Sequence, residues 1–290
     1  TLLVYRISLK TNLTIRAPKD CNMANDEPHI REQRPSASWM DERDLEAEDF
    51  AMRKGRIFLG KTNATGRMIG IDDNRHIVTI AGSRAGKSST SLIPNLLTWD
   101  GSAIVIDPNG ELATETARHR ARMGQEVCIL DPFGEVKTQT LQRLRKAYDP
   151  LEGIRKANPD SRIDEAAILA DALIATDGNK TDHWTLSAKN LIRGFILYAL
   201  YRKGAAATLN DVRHYLSLPY EDENDDTSET MQEHFQYMRA YPDAFDGVLA
   251  GVGGSMIGKP PNERGSIIST ANEHMAFLDS KMMRDHLASA

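Results

Sequence analysis

Gly82-Ser83-Arg84-Ala85-Gly86-Lys87-Ser88-Ser89 is the stretch of this chain whose residue types and spacing carry recognisable chemistry. A polyphosphate needs several backbone N–H donors at close range, and glycine lets a loop turn toward an anion without a Cβ in the way. On that reading Gly82 and Gly86 shape the loop, and Ser83, Arg84, Ala85 and Ser89 complete its ring of amides. Lys87 reaches the β- and γ-phosphates and the Ser88 hydroxyl is the Mg²⁺ ligand, which makes these two the expected catalytic pair. A helix opening at Lys87 aims its free amides and its dipole at the same anion. Ala81 stands where the G-x-x-x-x-G-K-[ST] spacing has glycine, adding only a methyl, and Arg84 is an unusual residue inside such a loop.

The elements that must position this loop follow from periodicity. The apolar run Ile77 to Ile80 is predicted to be the strand entering it, and Lys87 to Trp99 the helix leaving it, with a kink or early end at Pro94. Two further apolar runs, Ala103 to Ile106 and Val127 to Leu130, flank a helical pattern from Glu111 to Met123 that Gly124 closes. This alternation predicts an α/β fold with a parallel sheet covered by helices. Upstream lie an arm (1–36) containing a short strand, Leu2 to Tyr5, a helical pattern from Ala37 to Phe50, and a hairpin of Ile57 to Gly60 with Met68 to Ile71. Beyond Asp131-Pro132-Phe133-Gly134 the pattern is helical only. Ile163 to Ala175 and Trp184 to Tyr201 have helical spacing, with Lys189 and Arg193 read most simply as a solvated face, and a further helix is predicted from Ile267 to His286.

With 290 residues the chain can bury a full core and hold two domains. Apolar residues at 40% and charged residues at 27% describe a soluble globular protein. Its 36 basic and 41 acidic residues give a net charge of −5, so no global positive field advertises nucleic acid, although a local basic surface would still serve. Cys21 and Cys128 suggest a reducing compartment without a disulfide framework. No apolar run approaches the length of a membrane span, and a start at Thr1 rather than Met leaves room for a preceding anchor.

Several patterns compete with the loop or extend it. Asp107-Pro108-Asn109-Gly110-Glu111 sits where a strand meets a helix, on the ligand side expected of a parallel sheet, so Asp107 is a candidate nucleotide-binding residue; the same residues read equally as a turn. Asp107-Pro108-Asn109-Gly110, Asn179-Lys180-Thr181-Asp182 and Ser187-Ala188-Lys189 match GTPase motifs, but the short interval between Lys87 and Asp107 leaves no room for a switch segment. Gly253 to Lys259 repeats the glycine-lysine spacing, and Pro260 in place of Ser/Thr makes it a loop. The acidic run 221–226 lacks ordered metal-ligand spacing, and His183, His214 and His274 read as ordinary helix residues. The strands ending at Asp107 and Asp131 are both followed by proline, and neither presents the Asp-Glu pair that would hold Mg²⁺ and polarise water.

Taken in series, Gly82 to Ser88, Leu92 to Trp99, Val105 to Glu111, Leu130 to Phe133, His183 to Thr185 and Glu263 to Thr270 resemble the coupling-protein ATPases of type IV secretion and conjugation, the TraG-like family. Asn109, where many members have lysine, departs from the pattern. The resemblance implies a P-loop (RecA-like) nucleotide-binding domain with a parallel sheet (37–148 and 263–290), interrupted by an all-α insert domain (149–262) that faces the cargo. It implies ATP and Mg²⁺ as cofactors and a homo-hexamer at the cytoplasmic face of the bacterial inner membrane. Partners by resemblance are relaxase-bound single-stranded DNA, effector proteins and other type IV secretion components. The family's Walker B strand is expected outside this chain. A DNA-translocating ATPase and a nucleotide-binding docking platform that does not hydrolyse are both open, and Arg264 is a candidate arginine acting in trans.

Overall fold

The computed structural model describes residues 2–6, 40–45, 48–174, 183–221 and 229–288. Asn179 to Asp182, Cys21, Trp39 and most of the acidic run lie outside them. The chain is mixed α/β and rich in helix. It divides into two compact units, 1–129 with 135–145, and 130–134 with 146–290.

The first unit holds β1 (Leu2–Arg6), α1 (Glu42–Leu45), β2 (Ile57–Lys61), β3 (Met68–Ile71), α2 (Ile93–Thr98), β4 (Ala103–Ile106), α3 (Glu111–Arg122) and β5 (Glu126–Leu130). β2 and β3 form the expected antiparallel hairpin, with a bulge between Phe58 and Gly60. α3 ends as its sequence demands, Gly124 taking φ +84° just past Met123. Leu96, Leu112, Ala113, Ala117, Val127, Ile129, Val136 and Leu141 form the core of this unit.

The sheet departs from the predicted parallel order. Its three strands run β4-β1-β5, and the N-terminal strand β1 pairs antiparallel with β4, Leu2 opposite Ile106 and Tyr5 opposite Ala103. Ile77 to Ile80 forms no strand, and its side chains lie open, Val78 at 78% and Ile80 at 92% exposure. An apolar run becomes a strand only against an edge that accepts its N–H and C=O groups. Here β1 occupies a ladder edge of β4. Ile104 and Ile106 also leave their outer faces exposed.

The second unit is all helix: α4 (Leu151–Lys156), α5 (Arg162–Leu173), α6 (His183–Lys203), α7 (Leu209–Ser217), α8 (Met231–Arg239), α9 (Val248–Gly258), α10 (Pro261–Met275) and α11 (Lys281–Ala288). α6 is its axis. Gly194 to Ala199 are all buried, a helix apolar around its whole circumference because α5, α7, α9 and α10 all pack on it. Lys189 pairs with Asp171 at 3.1 Å instead of standing in a solvated face.

Two corrections belong to this unit. Gly253 to Gly258 is helix, not loop: a Cβ on Gly253 would stand 2.5 Å from the Phe235 carbonyl oxygen, so this glycine is a contact point between α8 and α9. Glu263 to Ser266 lies within α10, which opens at Pro261, and α10 and α11 are separated by a 3₁₀ turn, Ala276–Asp279, where one continuous helix was predicted. The resemblance assigns residues 263–290 to the nucleotide-binding domain. In the structure Ile267, Ala271, Met275, Leu278 and Leu287 join the helical core.

A polar cluster runs from that core, at Tyr198 and His234, to the surface, at Glu229 and His214. Tyr198 Oη lies 2.9 Å from His234 Nδ1, and the Glu229 carboxylate lies 2.9 Å from His234 Nε2 and 2.8 Å from His214 Nε2. Burial holds the His234 imidazole below its ordinary value against the opposing pull of Glu229, and burial pushes the Tyr198 phenol up. The hydrogen bond from His214 lowers Glu229.

Candidate phosphate-binding loop

Residues 81–90 fold as a turn that runs straight into a helix. The Ala85 N–H donates to the Gly82 carbonyl at 3.3 Å, and the Thr90 N–H to the Gly86 carbonyl at 2.9 Å. Arg84 and Gly86, two residues apart, both take left-handed φ, +62° and +81°. Such conformations turn successive N–H groups toward a common centre, and for a residue with a Cβ they cost about 1–3 kcal/mol. Residues 81–85 are exposed, so the loop opens to solvent. Gly86 carries the glycine requirement: a Cβ there would lie 3.2 Å from Ser89 Oγ at an unfavourable φ. At Gly82 a Cβ would meet nothing within 4 Å, so space does not explain that glycine.

Lys87 Nζ donates to the carbonyls of Ala81 and Gly82, at 3.0 and 2.9 Å, and so folds back across the loop it follows. The hydroxyls of Ser89 and Thr90 both donate to the Gly86 carbonyl. Ser88 opens the helical segment that follows, and its carbonyl accepts the Ile93 N–H.

Helix does begin at Lys87, but its first turns are wide. Ser88–Leu92 is a π-helical segment in which the Ile93 N–H reaches the Ser88 carbonyl. Pro94 explains this: it has no N–H for the Thr90 carbonyl, so the ladder shifts by one before α2 resumes. The kink expected at Pro94 takes this form.

Asp107 is 3% exposed, and its Oδ2 accepts the Ala113 N–H at 2.9 Å, in the first turn of α3. Among the described residues no hydrogen bond or ion pair joins it to residues 82–89. The geometry therefore gives Asp107 a helix-capping role, with Gly110 at φ +69° closing the turn against Val136. Arg264, the candidate arginine acting in trans, lies 3.6 Å over the Tyr220 ring and donates to the Lys259 carbonyl within its own unit.

Two residues that brace α2, the helix after the loop, were not given roles by sequence. Asn95 Oδ1 accepts the Phe58 N–H at 2.8 Å, and its Nδ2 donates to the carbonyls of Phe58 and Ser91, both at 2.9 Å. The amide thus behaves as a ladder partner for the bulged hairpin and ties it to α2. Arg120 is fully buried and donates to the carbonyls of Leu96, Trp99 and Gly101, gripping the end of α2. The signal for Arg120 was present: it falls on the stripe of Ala113, Thr116 and Ala117, where a charge needs a partner. Beside the loop, Phe58, Lys61, Ile77 to Ile80, Ser91 and Asn95 line a cleft of about 700 Å³.

Residues 38–290 match the family model described as type IV secretory system conjugative DNA transfer. The chain belongs to that family. Among curated proteins, two conjugal transfer proteins TraG from Escherichia coli are 28% identical over 83% of this chain and 27% identical over 93% of it. Protein VirD4 of Rhizobium radiobacter is 29% identical over 58% of the chain and 24% of its own length. The chain spans about two fifths of the TraG relatives, 40% and 43%. It is thus a member of the type IV coupling proteins, the family that the order of its motifs resembled. No helix among the described residues is long and apolar enough to cross a membrane.

Proposed function

We propose that residues 82–89 bind the phosphates of ATP with Mg²⁺, and that this P-loop unit powers a coupling protein passing relaxase-bound single-stranded DNA or effector proteins to a type IV secretion channel. The reading rests above all on the loop itself: two left-handed residues, open amides and a lysine already lying across the loop, ahead of a helix. Lys87 supplies the charge on the β- and γ-phosphates, Ser88 the Mg²⁺ ligand, and the amides of Gly82 to Ser89 the remaining donors. The RecA-like arrangement, the homo-hexamer and the position at the inner-membrane face belong to the same proposal and come from family membership.

Titration calorimetry with a non-hydrolysable ATP analogue tests it. Lys87→Ala removes a charge-assisted contact of about 1.5–3 kcal/mol, so affinity falls roughly ten- to a hundredfold. Equal affinity in the variant refutes the assignment, and preference for GTP refutes the adenine reading. A docking platform that binds nucleotide without hydrolysis is favoured by one observation, the use of Asp107 as a cap for α3. Phosphate release measured with and without single-stranded DNA separates the two readings, since a platform shows no DNA-stimulated turnover.

A further inference from the structure

At the C-terminal end of α6 three tyrosines and an arginine form one surface cluster. Tyr201 and Tyr241 are 42% and 38% exposed, with ring centroids 5.5 Å apart, and Tyr241 is 4.7 Å from Tyr237. The Arg202 guanidinium lies 4.3 Å over the Tyr237 ring. The same helix end borders a cavity of about 260 Å³ walled by Leu200, Phe245, Arg155 and Arg162. Arg155 is committed to Asp149 and the Ala207 carbonyl; Arg162 Nη2 donates to the Arg155 carbonyl at 3.2 Å, and among the described residues its buried Nε–H has no partner. Phe245, Asp246 and Gly247 hold φ of +49°, +53° and +84°, a run of left-handed residues that aims the segment carrying Phe245. Strain of that kind concentrates where a fold fixes a binding surface.

We infer that this end of α6 is a docking site for single-stranded DNA, with bases stacked on Tyr201 and Tyr241, one nucleotide entering the adjacent cavity, and phosphates met by Arg202 and Arg162. The inference rests on the DNA-handling part of the proposed function and is independent of nucleotide hydrolysis. The chemistry selects this ligand over a protein. The large exposed apolar residues at this end are tyrosines and not aliphatic anchors, and flat rings interleaved with guanidinium groups suit bases and phosphates. Few cations are involved, so the affinity has a shallow salt dependence, with a slope of about −0.7 per phosphate neutralised. A net charge of −5 is compatible with such a site because stacking carries most of the attraction.

The test is fluorescence anisotropy of a labelled oligothymidine on the full 290-residue chain. Replacing both Tyr201→Ala and Tyr241→Ala weakens binding at least tenfold, while Tyr201→Phe with Tyr241→Phe retains it because the rings remain. Arg162→Gln weakens binding and flattens the salt slope. Both tyrosines are surface residues, and an unchanged melting temperature verifies folding of the variants. Nucleotide titration on the same variants stays at the wild-type value. Wild-type affinity in the double alanine variant overturns the docking site while leaving the ATP and DNA reading standing. Failure of the wild-type chain to bind the oligonucleotide refutes the DNA reading and the site together. Loss of a protein partner with DNA affinity unchanged assigns the surface to protein and overturns the inference.

Discussion

Replacing Asn95 with leucine keeps the side-chain volume near constant and removes three hydrogen bonds at once, two of them to the backbone of Phe58. Each such bond is worth about 0.5–1.5 kcal/mol net, and a donor or acceptor left inside without a partner costs more. Both residues are half-buried, so water recovers part of the loss, and the expected destabilisation is about 2 kcal/mol. The penalty falls on one amide in particular, because the Phe58 N–H sits at the hairpin bulge and takes Asn95 as its partner. Hydrogen exchange reads it directly. Protection of the segment spanning β2 drops roughly thirtyfold, since each 1.4 kcal/mol is a factor of ten, while segments of α6 exchange as before. A β2 segment that keeps its protection in Asn95→Leu refutes the view that this side chain ties the hairpin to α2.

Two glycines one residue apart make a matched test of the helix at 248–258. Gly253→Ala forces a methyl onto the Phe235 carbonyl and lowers stability by about 1–3 kcal/mol, whereas Gly254→Ala meets nothing within 4 Å and gains up to about 1 kcal/mol of helix propensity. Equal melting temperatures for the two variants contradict the close approach of α8 and α9. The His234 cluster sets a pH dependence: its folded pKa is depressed by burial, so its contribution is fully present above the unfolded value of about 6.5 and is lost as pH falls through the folded one. Thermal melts at pH 7.5 and 5.5 measure the loss, and His234→Gln removes that part of the slope. An unaltered slope in that variant refutes the assignment.

Local chemistry was legible in the sequence where a single residue decides it. Gly124 announces the end of α3, Pro94 announces the disturbed helix after the loop, and Gly82 to Ser89 announces the loop itself. What the sequence hid depends on partners distant along the chain. Ile77 to Ile80 and Ala103 to Ile106 are equally apolar runs of four, and only the second is paired, because an edge and not a composition makes a strand. Gly253 to Gly258 looked like a loop because glycine clusters usually mark turns, whereas in α9 its Gly253 is a point of contact with a neighbouring helix. Arg264 looked available because its ring partner, Tyr220, lies forty-four residues earlier in the chain, beyond any local pattern. The polar cluster was hidden for the same reason, since Tyr198, His214, Glu229 and His234 meet only when α6, α7 and α8 pack.

The placement of Lys87 bears on the shape of the loop that it follows. Its ammonium bonds the carbonyls of Ala81 and Gly82, six and five residues earlier, and so braces the turn. A turn braced by its own side chain is already ordered, so on the proposed ATP reading the entropy of ordering it is not charged to nucleotide binding. On the proposed ATP reading, a phosphate meets Lys87 by an exchange of that lysine's partners, a change of rotamer and not the folding of a segment.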